Sequence, residues 1–512
     1  MKKALKIILL VSVVIVLLLA SLAVWGYYAF LHTAPLTSEE AAELEVDWTP
    51  ITHGNWSPWV LAADGTREWN PAKSFNDWLA RAPEEDKAWA ELLDIRYAHS
   101  KYYDNADITN QPMYPTRWAK SVALLDTDEA AVVFDRMLAA FNRPLMGAGI
   151  SNGENPILVE TAQKYGEEWT KSAVMDGPGA EVEMIGVLLP ALGMQRNMGD
   201  FVLAYSSRRL ELREPGAFLD GCSAVMHHSA TANEMPAMIG DLVKMAMRMQ
   251  VTQTIDWAID QHHDAFTDEQ LARLDELLAD PELFGVQWQG EALMFEDTVR
   301  RFADENGSLS PWSLRKKASQ VGSSTLGPAT DLPVSQMNAS AQRLIYIHQQ
   351  VLKRDLADVN DPDFASGWSF YQSQRSQLGK FEQLTLDLLL PALSKAKNTS
   401  MSDQQYANAV RFAIAARRHQ LRHGALPGVG EPIDADLIAG LDLSDPFTGE
   451  PLTYQRTEDG FRILPSHPED EPDVVLWPKQ YEPIIEDDEP EYYDWELEGL
   501  TEEQKEEMLN SP

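Results

Sequence analysis

One cysteine, Cys222, stands in the 512-residue chain, so no intramolecular disulfide can form and metal sites built on several thiolates are excluded by arithmetic. Stability has to come from packing. Basic residues are also scarce, 42 Lys and Arg against 79 Asp and Glu, for a formal charge of -37. Nucleic acid is thereby excluded as a partner, because that affinity comes from cations displacing counterions from phosphates. No His-Glu-x-x-His pair is present, and Gly147, Gly149 and Gly153 lack the Lys-Ser/Thr ending of a phosphate loop. Ser313 and Lys316 have the spacing of an acyl-enzyme serine and its lysine, but the companion Ser-Asp-Asn and Lys-Thr-Gly motifs are missing. Cys222 near His227 reads as a small buried side chain rather than a nucleophile.

What is present is ordinary for a folded chain: 44% hydrophobic residues and fifteen Trp, enough length for two or three domains. Lys2, Lys3 and Lys6 precede an uncharged run from Ile7 to Leu31. As a helix this run reaches about 37 Å, more than the ~30 Å hydrocarbon core. The expectation is a cytoplasmic tip at 1–6, a transmembrane anchor at 7–31 and the bulk of the chain in the periplasm or outside, since basic residues stay on the cytoplasmic side. Ser21-Leu22-Ala23 offers a cleavage site for a signal peptide, yet apolar and aromatic residues continue to Leu31, which favours an uncleaved anchor.

Residues 32–82 are rich in Pro, Gly and Trp and predict irregular structure wrapped on a core. Seven of the fifteen Trp lie between Trp48 and Trp118, and packing is the expected role of such rings, with stacking on sugar faces as the rival. A helical domain is expected at 83–305. Within it, Thr267 and Gln270 form a capping-box pattern ahead of Leu271, Leu274 and Leu278. Residues 306–335, dense in Ser, Gly and Pro, read as a linker or long loop, and 336–465 as a second helical block. There Ser402 and Gln405 repeat the capping box. Tyr406, Val410, Ala413, Ile414 and Leu421 would share one face, and Arg417, Arg418, His419, Arg422 and His423 would sit at the end with Gly424 as cap. The basic end is explained by the helix dipole alone. Leu188–Leu192 and Leu389–Leu393 are the same five residues, each followed by an Arg-rich stretch; the readings are a duplicated helix pair whose first helix the proline kinks or ends, and chance similarity between two helices of Ala-Leu-Arg composition. Beyond Gly424, the Asp445-Pro446-Phe447 turn with Gly449, then Tyr454 and the Asp459-Gly460 dipeptide between alternating runs, predict a β-hairpin. The fold class expected is therefore mainly α, with an amino-terminal span and a small carboxyl-terminal hairpin module.

The helix ending at His423 and Gly424, then Pro427, Asp445-Pro446-Phe447, Gly449, Pro451 and Tyr454, resembles the carboxyl-terminal part of type II secretion pseudopilins over about 70 residues. That resemblance implies a helix–turn–hairpin module. The calcium loop of the family is replaced here by Pro465-Ser466-His467-Pro468-Glu469-Asp470, so its metal does not carry over. More broadly, Arg81 to Trp89, Thr267 to Leu278, Gly290-Glu291 and Asp445 to Tyr454 are similar to single-span, mostly helical bacterial envelope proteins, which implies architecture and no activity.

Two groups carry metal-ligand atoms: His227, His228 and Glu234, and His262, His263 and Asp264. Neither has a spacing that puts two imidazoles on one helix face, so no cofactor is expected, and a bound metal is the lesser reading. The tail at 466–512 is the remaining candidate: from Glu469 onward it carries a net charge of -15, interleaved with Tyr481, Tyr492, Tyr493 and Trp495. Such a segment docks on a basic envelope partner or packs on its own body. The reading is a membrane-anchored extracytoplasmic interaction or assembly protein, more an adaptor than an enzyme; the alternative is a metal-dependent hydrolase at His227, His228 and Glu234.

Overall fold

Residues 33–478, apart from 62–63, 103–114, 151–159, 162, 167–189, 235–236, 281–283, 310–328, 357–366, 429–430, 440, 442–443 and 466–474, are described by the computed structural model. The expected tip and span at 1–31, Ser313 with Lys316, and Tyr481, Tyr492, Tyr493 and Trp495 lie outside the described residues. Among the described residues no helix is long and apolar enough to cross a membrane.

The chain is mainly helical. Two short helices, α1 (Ser38–Ala42) and α2 (Thr49–Thr52), and a hairpin of β1 (Trp59–Leu61) and β2 (Arg67–Trp69) lead into α3 (Pro71–Arg81). There follow α4 (Trp89–Ala98), α5 (Pro115–Leu125), α6 (Asp128–Phe141), α7 (Pro190–Glu211), α8 (Pro215–Ser229), α9 (Met238–Gln261), α10 (Asp268–Leu277) and α11 (Trp288–Phe302). The last part holds α12 (Ala339–Leu356), α13 (Gly367–Gln374), α14 (Lys380–His423) and α15 (Ala435–Ile438), then β3 (Thr453–Arg456), β4 (Phe461–Leu464) and β5 (Val475–Trp477).

Local chemistry sets several boundaries where the sequence placed them. Gln270 N–H donates to Thr267 Oγ1 at 3.2 Å and Thr267 N–H to Gln270 Oε1 at 2.9 Å, the reciprocal capping box of α10, behind which Leu271, Leu274 and Leu278 are fully buried. Helix α14 stops at Gly424, whose left-handed backbone (φ 79°) lets its N–H bond to Gln420 O at 2.8 Å.

Other expectations are corrected. Residues 71–81 of the segment expected to be irregular form α3: Asn70 Oδ1 accepts from Lys73 N–H at 3.0 Å, and Pro71 fits the first turn, where its missing N–H has no ladder partner. Helix α14 does not begin at Ser402 but at Lys380, and its 44 residues reach about 66 Å. Pro391 lies inside it, so the second of the two similar segments is one continuous helix, while Pro190 opens α7 and the residues before it lie outside the described residues. Packing before and after Pro391, at Leu386 and from Ala407 onward, overrides the local breaker. Leu421, expected on the buried face, is 47% exposed.

The long helix joins two cores. Its carboxyl-terminal half packs on α9 and α10, so that Val410, Ile414 and Ala416 share one cluster with Trp89, Phe134, Phe201, Val251 and Leu271. Its beginning packs on α12, where Leu386 joins Phe295, Leu344, Ile347 and Tyr371. The core thus unites residues 88–284 with 407–477, across the block boundaries read from the sequence at 306 and 336. The Trp-rich arm closes the side of α11. Trp59 and Trp69 pair across the hairpin at 5.1 Å, Arg300 lies over both rings, and Trp69 Nε1–H donates to buried Asp297 at 3.0 Å. All seven rings from Trp48 to Trp118 are buried or half-buried.

The hairpin is present, with Tyr454 opposite Ile463, and a third strand completes it: Ile463 pairs with Val475. The segment at 466–512 is therefore not tail throughout. Trp477 is fully buried, packs edge-on against Phe461 at 4.9 Å and donates from Nε1 to Asp256 Oδ1 at 2.9 Å, on α9. Gly460 serves this strand rather than a left-handed turn, since a Cβ there would lie 1.9 Å from Trp477 O. Asp445 holds its turn through a bond from Phe447 N–H at 2.9 Å and Gly449 takes φ 74°, while Tyr454 OH donates to Pro427 O at 3.2 Å.

Candidate functional site

Where α8 gives way to the turn before α9, the chain leaves a cleft against the Trp-rich arm. Its volume is about 360 Å³, and its lining includes His227, Asn233, Glu234, Lys244 and Arg248 together with Trp56 and Trp78. Both indoles are held by Phe75 of α3, each at 5.6 Å. The helix missed in the sequence is thus what sets one wall of the cleft.

Glu234 dominates the polar wall. Its Oε2 accepts from Gly147 N–H at 2.9 Å, and its Oε1 is buried without a partner. Burial pushes the carboxyl up to about 7, against the lowering effect of the backbone bonds from Gly147 and Met146 and of Lys87. Gly147 has to be glycine: at φ 73° a Cβ would meet the Lys87 side chain at 2.7 Å. One of the glycines that fail as a phosphate loop, Gly147, thus supplies a backbone donor for this carboxylate.

The cations are already engaged. Lys244 Nζ donates to Asp241 Oδ1 at 2.7 Å and Gly285 O at 2.9 Å; Arg248 Nε donates to Ser229 Oγ at 2.9 Å. Asp241 and Asp280, the latter 3.9 Å from Arg248, offset the two positive charges. His227 is exposed along it.

The expected ligand groups separate. His228 turns into the core, stacked on Phe141 at 4.0 Å and 3°, with Nδ1 unpartnered; burial and the neighbouring His227 push it down to about 3, so it stays neutral. A helix rotates about 100° per residue, which sends adjacent imidazoles to different surroundings. His262 packs edge-on against Trp257 at 4.9 Å, and Asp264 pairs with Arg213 at 2.9 Å. Burial lowers the pKa of both His262 and His263. None of these six residues forms a three-ligand group. Cys222 is fully buried and burial raises its thiol pKa far out of the reactive range.

Among the described residues the group that does converge is His419, His423 and Asp434, with ligand atoms all within 4.8 Å. The signal was present as His-x-x-x-His, two imidazoles one turn apart on one helix face, and was absorbed into the reading of a basic helix end. Asp434 comes from the loop before α15, which spacing alone does not place.

No family model, curated protein or solved structure matches the chain.

Proposed function

We propose that this is an extracytoplasmic interaction protein, held to the membrane by a span at 7–31 with the amino terminus inside, whose cleft takes a neutral ligand rich in hydroxyl and amide groups, of sugar type. The observation that carries the ligand reading is Glu234, a cleft-lining residue whose Oε1 is buried without a partner, with Trp56 and Trp78 in the same lining. A buried polar group of this kind is costly until a ligand satisfies it, and indoles present apolar faces to sugar rings. The carboxylates beside the two cations, Asp241 at 2.7 Å from Lys244 and Asp280 at 3.9 Å from Arg248, disfavour a strongly anionic ligand.

The anchor reading rests on Lys2, Lys3 and Lys6 ahead of the uncharged run at 7–31. Arg343, almost fully buried, donates to Ala34 O at 3.2 Å, Pro35 O at 2.6 Å and Glu40 Oε1 at 2.8 Å, so the arm is fastened to α12 close to where the span would end. The remaining acidic tail, with Tyr481, Tyr492, Tyr493 and Trp495, is the proposed docking segment for an envelope partner. A periplasm-active reporter fused after Pro512 tests the topology, and activity of a cytoplasm-only reporter in its place overturns it.

A second reading, an extracytoplasmic hydrolase, is favoured by one feature: a carboxyl poised near neutrality in a cleft beside a histidine suits proton transfer. A metal-dependent version draws only on His227 and Glu234, because His228 faces the core. One experiment separates these readings. Thermal melting of the detergent-solubilised full chain with chitotriose or maltotriose should show a raised midpoint that Ala230→Trp, which fills the cleft, abolishes. Intact sugar recovered from the mixture supports capture, and cleaved sugar supports hydrolysis. No shift and no cleavage with either sugar overturns the sugar reading.

A further inference from the structure

The carboxyl-terminal end of α14 and the loop after it carry a second set of side chains, remote in sequence from the cleft. We propose that His419, His423 and Asp434 bind a first-row divalent cation, zinc in the first place, which clasps the loop after Gly424 to the helix end.

His423 Nε2 lies 3.0 Å from Asp434 Oδ1 and 3.1 Å from Oδ2, and His419 Nδ1 lies 3.2 Å from Oδ1. Zinc bonds of about 2.0–2.1 Å to imidazole and carboxylate place neighbouring ligand atoms of a tetrahedron about 3.3 Å apart. The carboxylate edges are thus already near the spacing an ion would impose. The two imidazoles stand one turn apart, with ring centroids 4.3 Å from each other.

A second observation points the same way. The His419 side chain is only 6% exposed, and its Nδ1, though 3.2 Å from Asp434 Oδ1, is not aligned to hydrogen-bond with it and remains a buried nitrogen without a partner. An ion between the three groups would satisfy that atom. The donor set of two imidazoles and one carboxylate suits zinc and its neighbours rather than calcium or magnesium, which take oxygen.

The surrounding charge permits a dication. Arg422 approaches Asp434 Oδ2 at 3.6 Å, but it is closer to Asp436 at 2.7 Å and also reaches Asp268 at 3.5 Å, while Arg418 holds Asp268 at 2.7 Å. Three carboxylates thus face two guanidinium groups here. The His423 side chain is 53% exposed, so the fourth position opens to solvent and would take water. On the loop side, Pro427 O accepts from Tyr454 OH, so the clasp would tie the helix end to the hairpin as well.

The test uses the full chain in detergent, stripped with a chelator and titrated with Co2+ alone, then with Zn2+ as competitor. One equivalent of Co2+ should give tetrahedral d–d absorption that Zn2+ abolishes, and Zn2+ should raise the melting midpoint. His423→Ala and Asp434→Asn should each weaken binding by about tenfold or more and remove the melting shift. His423 is exposed and Asp434 half-buried, so folding of these variants is checked by their metal-free melting. The double variant His262→Ala/His263→Ala serves as control and should bind as wild type. Absence of the Co2+ spectrum in wild type, or equal affinity in His423→Ala and Asp434→Asn, overturns the proposal.

Discussion

Replacing Trp477 by alanine removes the indole that fastens the third strand to the helical core. The side chain is fully buried, meets Phe461 edge-on at 4.9 Å and lies 5.0 Å beneath the guanidinium of Arg417. Emptying such a site costs about 3–5 kcal/mol. The loss also takes one donor from Asp256, a fully buried carboxylate whose other oxygen keeps the bond from Tyr406 OH, which places the cost in the upper part of that range. Urea denaturation of the detergent-solubilised full chain, followed by circular dichroism, should show a loss of about 5 kcal/mol. Two truncations bracket the result. Ending the chain after Pro465 removes β5 and should destabilise it comparably. Ending it after Pro478 removes 34 residues carrying 13 acids and should leave the transition where it was while abolishing capture of any envelope partner. A Trp477→Ala transition within about 1 kcal/mol of wild type would refute the placement of this strand.

Two glycines separate strain from collision. Gly460→Ala places a methyl against Trp477 O and should cost about 2 kcal/mol or more, whereas Gly424→Val meets open space but a left-handed backbone and should cost about 1 kcal/mol or more in the same assay. His228 and His348 are both buried neutral, each pushed down to about 3 by burial, so only the unfolded chain takes up their protons as pH falls from about 6.5. Stability should drop by about 1.4 kcal/mol per pH unit for each imidazole between about pH 6 and 4, and His348→Phe, which keeps the stack on Phe295, should remove one of the two contributions. Glu234 runs the other way. Its folded pKa of about 7 against 4.5 means that stability falls as pH rises through that window. Glu234→Gln should stabilise the chain on the order of 3 kcal/mol above pH 7 and leave it unchanged below about pH 4, as pH-dependent melting will show.

Features written in neighbouring residues were legible. The Thr267–Gln270 box, the Gly424 cap and the hairpin from Thr453 to Leu464 each depend on side chains within a few positions. Helix α3 was equally local, with Asn70 as cap and Phe75 and Leu79 one turn apart, but the density of Trp and Pro masked it. The start of α14 was not legible, because Gly379 offers no capping side chain and Pro391 mimics a break. What stayed hidden is contact across long sequence separations. Trp477 reaches Asp256, Arg343 reaches Ala34, and the cleft brings Trp56 and Trp78 to Glu234. His227 and Glu234 were named from chemistry alone and do share a site. His228 was named with them and does not, since one residue of helical rotation carries it into the core.

Calorimetric titration of chitotriose into the full chain, below and above the Glu234 pKa of about 7, tests the cleft most directly. Saturable binding of one sugar per chain is expected, weakened about tenfold or more by Glu234→Leu, as loss of one buried hydrogen bond requires, and abolished by Ala230→Trp. Binding that Ala230→Trp leaves intact, or no binding to the wild-type chain at either pH, would contradict the sugar reading.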